Sequence, residues 1–499
     1  VYADLGELEK PDAVSAGKDT HVSTDDSRML CHEFDIGHRQ PSTGYVCAMG
    51  ERRPDALAGD ALLDATLDWR EWCYRRVDSI QPLEGDRGRR RFSIDCTPPP
   101  DPRLAYAPEM RHQSAINAVE GMVMVPLAYI DKGPLRHFDA RDGSDGPMPI
   151  LGMGETTTFA ITMAQRMLWV DKVQMTRHAS KVFAEIAGPT TSAADAEKIE
   201  QLLRTGVWDG VSVWNDSAAP TQLTQAVINT ISQRFLLIGL IDASKAGTRQ
   251  VLKYSYNWDI EGSRMSRQTA PLVGAGWGPR VLRIVPHMAD AARSYHLEFQ
   301  TPRELRCDEL RLPAPTRSTA SVGWIDNSRQ PVAHAYASYL EGPTGDAALS
   351  LSVPARGLRR SATAVAAFTA LLVGLMLFLP WAKDVWVNSP DSAAAVLIAV
   401  PAAFFGILAA GRENTLVADS LGFLRAVTFC AAIGLFLVAA SIVGELNQPL
   451  LDFLWGAVTL WNVCAACFLL LPSPVSWVRT KLALAGREVP GRSQSGNES

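Results

Sequence analysis

A chain of 499 residues is too long for one ordinary hydrophobic core, so two or three folded units are expected. Its 48 Lys and Arg against 53 Asp and Glu leave a net charge of −5, which excludes the broad basic excess of a nucleic-acid-binding protein. The 47% hydrophobic content is ordinary for a soluble protein, but beyond residue 360 the composition turns to long uncharged runs of Ala, Leu, Val, Phe and Ile.

Residues 1–53 carry few apolar runs and many Asp, Ser, Gly and Pro, and read as poorly ordered with a short folded patch near Leu30–Met49. Val1–Asp12 is polar and acidic and shows no leader; loss of a leader ahead of it stays open. Residues 54–154 read as a helix plus strands. Leu63, Leu67, Cys73 or Tyr74 and Val77 recur at helical spacing over Asp55–Ile80, and Glu84–Gly88 is a turn. Phe92, Ile94 and Cys96 alternate with Ser93 and Asp95 as in a half-buried strand, with the basic cluster Arg87, Arg89, Arg90 and Arg91 just before it in a solvated loop. Met122–Ile130 is a second strand, with Pro126 marking an edge or a break.

Residues 155–246 read as a helical insertion. Thr156–Trp169 has helical spacing, and Ser192–Leu203 opens with Ser192 and Asp195 like a capping box. Thr221–Ala243 reads as a long core helix ending in Phe235–Ile241, too short and too polar at Gln225, Asn229, Gln233 and Arg234 to cross a membrane. Residues 247–355 return to short strands between Pro, Gly and Asp turns: 251–258, 281–286, 295–300, 306–312, 321–325, 332–340 and 347–353. That spacing predicts a membrane-proximal, β-sandwich-like unit.

Within residues 356–478, four runs are long enough to cross about 30 Å of hydrocarbon: 361–381, 393–411, 422–444 and 450–471. Arg356, Arg359 and Arg360 precede the first, Arg412 and Arg425 flank the second loop, and Arg479, Lys481 and Arg487 follow the fourth. Lys383 alone stands in the other loops. This asymmetry predicts cytoplasmic termini in the plasma membrane, with residues 479–499 a disordered cytoplasmic tail. The expected fold is therefore an α+β soluble region of β-sandwich-like units with a helical insertion, followed by a four-helix transmembrane bundle. The spans hold few ionisable residues, and small residues such as Ala402, Ala403, Ala409 and Ala410 suit helix packing, so an anchor is expected rather than a transport path.

Candidate sites are few. Cys31, His32, His38 and Cys47 are of zinc-ligand type, but their spacing matches no standard finger, so a chance cluster is expected, with no metal and no cofactor. Cys464-x-x-Cys467 lies deep in the fourth span and reads as packing cysteines. The scattered Cys31, Cys47, Cys73, Cys96 and Cys307 read as reduced thiols. Gly274, Gly276 and Gly278 form a turn without a helix opening after it, hence no phosphate cradle. His296 and His334 lie in strands with Glu298 able to orient either, the pattern of a general base, though strand residues bonded near a core are expected instead.

At Pro134-Leu-Arg-His-Phe-Asp-Ala-Arg-Asp142, followed by Gly146-Pro-Met-Pro-Ile-Leu151, the chain resembles a group of uncharacterised actinobacterial multipass membrane proteins, and Tyr295–Glu298 and His334–Tyr336 are similar to that group too. The resemblance spans about residues 85–380 and implies no activity. Around it, Asp139, Arg141 and Asp142 are expected to form a structural charge network beside Arg136.

The function expected is that of a cytosol-facing sensor, interaction or scaffold protein in the lipid bilayer. It would meet a protein partner at the inner membrane face, with homo-oligomers allowed and no nucleic acid. A small-solute or ion channel with a regulatory domain is the alternative, and a membrane enzyme acting through His296 and Glu298 is the third.

Overall fold

The computed structural model describes residues 54–106, 121–188, 195–214, 219–260, 269–312, 321–324, 331–340, 345–381, 414–444 and 446–471, with isolated positions between 383 and 398. The 1–53 segment with Cys31, His32, His38 and Cys47, most of 393–411, and the tail lie outside them.

Helices α1 (Pro54–Leu67) and α2 (Trp69–Trp72) lead into strand β1 (Cys73–Pro82), which turns back into β2 (Arg87–Cys96). Then come β3 (Met122–Asp131), β4 (Arg136–Arg141), α3 (Met153–Val170), α4 (Ala179–Ala187), α5 (Ala196–Thr205), the small hairpin β5 (Val207–Trp208) and β6 (Val211–Ser212), and α6 (Gln222–Gln233). Strands β7 (Arg234–Asp242) and β8 (Gln250–Asp259) precede α7 (Ala270–Gly274). After it run β9 (Arg280–Ile284), β10 (Ser294–Gln300), β11 (Arg306–Arg311), β12 (Ser321–Trp324), β13 (Val332–Ser338) and β14 (Ala347–Ser352). Three long helices follow: α8 (Leu358–Phe378), α9 (Thr415–Val443) and α10 (Gln448–Leu470).

The principal sheet has seven strands in the order β12-β13-β10-β1-β2-β8-β4. Both strand-rich segments of the sequence therefore share one sheet, joined where β1 runs parallel to β10 and where β8 pairs antiparallel with β2 and β4. Two expectations are corrected here. Residues 73–82 are a strand, not the end of a helix. Their side chains alternate in burial, but Arg76 and Asp78 occupy inward positions beside Ile80, so the apolar period of a strand is missing from the letters. Likewise Arg87–Arg91 lies within β2 rather than in a solvated loop, and Arg90 is buried.

One face of this sheet is covered by two smaller sheets. The antiparallel pair β3–β7, with α1 and α3, packs on β2 and β8, and the three-stranded sheet β11-β14-β9 packs on β1, β10 and β13. Strand β7 corrects a third expectation. Helix α6 stops at Gln233, and Leu236–Ile241 is a strand buried on both faces, whose continuous apolar run looks the same as a buried helix segment in sequence. Helices α3 to α6 pack together around Phe183, Leu202, Trp214 and Ile228. Of the expected capping box, Ser192 lies outside the described residues, and Asp195 makes no side-chain cap.

Helices α8, α9 and α10 are each long and apolar enough to cross a membrane. At 1.5 Å per residue, the 29 residues of α9 extend about 43 Å. That exceeds a hydrocarbon core of about 30 Å, so two turns can stand outside it. The soluble region holds those turns. Arg280, buried on β9, donates through Nη1 to the Leu416 carbonyl (3.1 Å) and pairs through Nη2 with Asp419 (3.3 Å). The Gly85 carbonyl in the β1–β2 turn accepts from the Thr415 amide (3.0 Å). Trp277 packs tilted against Phe468 of α10 with ring centroids 4.2 Å apart. Arg359 at the start of α8 donates to the Leu469 carbonyl (2.8 Å), placing a cation at the negative end of α10. Gly276 faces that guanidinium with φ 71°. A Cβ there would stand 2.7 Å from Arg359 Nη1 and displace that guanidinium, and the positive φ itself favours glycine.

Beneath these contacts one buried cluster runs without a break from Leu297, Leu349 and Leu351 of the sheets to Leu416, Leu421 and Ala466 of the helices. Replacing Arg280 by Met should therefore cost about 1–3 kcal/mol and expose the α9 start to protease in detergent. Asp419→Asn, at a partly exposed position, should cost under about 1 kcal/mol. Chemical unfolding of the purified chain with limited proteolysis measures both.

Candidate functional site

The inward charges of β1 and β2 form one network. Arg90 grips Asp78 through Nε–Oδ1 (2.9 Å) and through Nη2, and donates from Nη2 to the Val285 carbonyl (2.7 Å). Tyr295 donates its hydroxyl to the same carboxylate (2.8 Å). Arg76 donates to the Tyr254 hydroxyl (2.6 Å) and to the Leu127 carbonyl (3.1 Å). Phe92 takes both guanidinium groups over its ring, at 5.2 and 5.3 Å. Desolvating each ion costs several kcal/mol, which these hydrogen bonds and ring contacts offset. Asp78 pairs with Arg90 alone, while Arg76 is held by neutral oxygens, so the network carries a net positive charge. His287 registers that field. It is buried with its ring edge-on to Phe92, and its pKa is pushed down to about 2, first by burial and then by Arg90, Arg234 and Arg76.

Beside this network a cleft of about 600 Å³ opens where the three sheets meet. Its apolar floor includes Ile80, Trp258 and Phe299, and Arg90 reaches it from below. Four cations, Lys132, Arg136, Arg234 and Arg283, line it against two carboxylates, Asp131 and Asp259. Arg234 pairs with Asp131 (3.1 Å) and Arg136 with Asp259 (3.4 Å). Lys132 donates to the Ile186 carbonyl at the end of α4, and burial lowers its pKa to about 8. A surplus of two positive charges over an apolar floor suits an anion carrying an apolar body.

Three strands that line the cleft also reach the long apolar helices. Strand β9 contributes Leu282, Arg283 and Ile284 to the cleft and Arg280 to α9. The β1–β2 hairpin contributes Ile80 and Arg90 and ends in the turn that bonds Thr415.

The histidines singled out in sequence lie elsewhere, on the opposite, polar face of the principal sheet. His296 Nδ1 stands 3.0 Å from His334 Nε2, and His296 Nε2 stands 2.9 Å from Ser294 Oγ. Glu298 is opposite His334 in register. The orienting contact of His296 is thus a second imidazole. Ser294 was missed in sequence, although its position two residues before His296 puts both on one strand face.

The Pro134–Leu151 segment forms β4 and its following turn. There Arg141 pairs with Asp139 (3.1 Å), Asp142 pairs with Lys245, and Asp142 accepts from the amides of Ser144 and Gly146, at 3.0 Å each. Gly274 closes α7 against Phe423. Cys73, Cys96 and Cys307 are buried free thiols. Cys464 and Cys467 are free but on the outer surface of α10, which corrects the expectation of buried packing cysteines. No protein-family model matches the chain, and no curated protein matches it.

Two predictions follow from the buried ions. Asp78→Asn should cost about 3–5 kcal/mol by leaving Arg90 unpaired, and adding Arg90→Met should recover part of that loss, as read by denaturant unfolding. For His287, the unfolded chain takes up a proton below about pH 6.5 that the folded chain refuses down to about pH 2. Stability therefore falls as the solution is acidified, by up to ~1.4 kcal/mol per pH unit from this group. The His287→Gln variant should show a shallower loss between about pH 6 and pH 4.

Proposed function

We propose that this chain is a membrane-anchored sensor that binds a small anionic ligand in the cleft between its sheets and passes occupancy to its membrane helices. The observation that carries the reading is the double role of β9 and the β1–β2 hairpin, whose residues line the cleft at one end and hold the start of α9 at the other. Lys132 and Arg283 supply the charge an anion would meet, and the continuous core makes the sheets and helices move together.

The finer architecture belongs to the same proposal: four spans, with 393–411 as the second, and a sandwich-like soluble region on the cytosolic side of the plasma membrane. Arg356, Arg359, Arg360, Arg412, Arg479 and Lys481 support that orientation. The signal would go to a protein partner at the inner membrane face.

The test is thermal unfolding of the purified full chain with matched anionic and neutral organic solutes. Stabilisation by anions alone, lost in Lys132→Met/Arg283→Met, is the expected result. Equal stabilisation by neutral solutes, or an unchanged response in the double variant, would contradict it. Flux of solutes through liposomes holding the protein would favour a channel instead.

A further inference from the structure

We infer that Ser294, His296 and His334 form a nucleophilic site for acyl transfer from soluble esters, on the polar face of the principal sheet and independent of the cleft. Ser294 and His296 sit two apart on β10, so both side chains stand on one face. His334 stands on the antiparallel neighbour β13, where Glu298 pairs with His334 and His296 with Tyr336. It is therefore the diagonal neighbour of His296 and within side-chain reach.

One tautomer of His296 makes the row a relay. For His296 Nε2 to accept the Ser294 hydroxyl at 2.9 Å, Nδ1 must carry the ring proton and donate it to His334 Nε2 at 3.0 Å. Nucleophile, base and orienting group then stand in the order that acyl-transfer chemistry uses. Tyr336 stacks against both imidazoles, with centroids 6.1 and 6.2 Å away, and fixes their planes. Burial, then His334 and Arg75, lower the pKa of His296, keeping it neutral and ready to accept a proton near pH 7.

Arg75 of β1 lies directly across from Ser294 in register and is exposed. Its guanidinium can meet the negative oxygen that forms when the hydroxyl adds to a carbonyl. In the reaction, Ser294 Oγ bonds to the ester carbonyl carbon while its proton passes to His296 Nε2. The carbon–oxygen bond to the alcohol breaks, and the alcohol leaves with that proton. Water then gives a proton to His296 and adds to the acyl carbon. The acid departs, and Ser294 regains its proton. The sum is ester plus water to acid plus alcohol.

The site's place in the fold selects the substrate. Seven residues of extended strand lead from Arg75 to Pro82, and a turn follows to Gly85, which bonds the start of α9. At about 3.3 Å per residue, the strand alone sets the hydroxyl about 23 Å from that turn, which favours esters dissolved in water over those in a bilayer.

The experiment treats the full chain in detergent with a fluorophore-bearing fluorophosphonate and maps the adduct by peptide mass spectrometry. We expect one adduct on Ser294, its loss in Ser294→Ala, and labelling slowed at least ~100-fold in His296→Ala. Labelling should persist in Ser338→Ala, a hydroxyl on the neighbouring strand directly opposite Ser294. Thermal midpoints close to that of the unaltered chain certify the variants as folded. His334 acts by positioning, so His334→Ala should slow labelling and move the acid limb of the labelling-rate profile. The groups facing His296 are then Arg75, Tyr336 and Glu298. An unlabelled wild-type chain, or undiminished labelling in Ser294→Ala, overturns the proposal, and an unmoved acid limb removes His334 from the relay.

Discussion

Only residues 353–357 separate the last strand of the soluble region from α8. Five residues span at most about 17 Å, so the sheet that ends in β14 cannot stand away from the helices. Everything at that junction works within this limit. Leu349 and Leu351 of β14 belong to the same buried cluster as Ala362 and Ala366 of α8, and the cluster continues into α9 and α10. The projecting turns of α9 become part of the soluble fold, and the buried Arg280 satisfies carbonyl and carboxylate groups there that would otherwise face a protein surface. A close-packed core of this kind transmits displacement because it has little free volume to absorb it.

The second constraint is charge inside the principal sheet. Arg76, Asp78 and Arg90 stand where apolar residues would be cheaper, and they are held by Tyr254, Tyr295, Phe92 and two backbone carbonyls. Such a cluster is weak evidence for stability, because well-packed apolar side chains often serve as well. It gives the adjoining cleft a positive wall. On the other face of the same sheet, Ser294, His296 and His334 are bonded in a row near Arg75. One sheet thus carries a cleft lined by cations on one face and a hydrogen-bonded row of Ser294, His296 and His334 on the other.

Where the residues keep to one period, the sequence was legible. Val251–Trp258 and Tyr295–Gln300 alternate cleanly and are strands, Val332–Leu340 is a strand as far as Ser338, and Thr156–Trp169 keeps a helical stripe and is a helix. The three candidate membrane helices among the described residues begin three, seven and two residues before the limits read from hydropathy, at Leu358, Thr415 and Gln448. The failures share one physical cause. Strand β1 hides charged residues in the core and β7 buries both faces, so neither shows a period of two. The site was less legible than the fold. The two histidines and Glu298 stood out by type, but the contact of His296 with His334 depends on a pairing between strands 38 residues apart. The cleft draws on seven separate stretches of chain, from Ile80 to Phe299, and no local pattern announces it.

The claim that the sheets and the membrane helices form one mechanical unit is tested most directly by hydrogen exchange of the full chain in lipid nanodiscs. The amides of Asp419, Ser420 and Leu421 should exchange as slowly as those of Leu282 and Leu349, and should open together with them when denaturant is added. Rapid exchange of the α9 turns, independent of β9 and β14, would show that the soluble region is merely tethered to its helices, and would contradict the account.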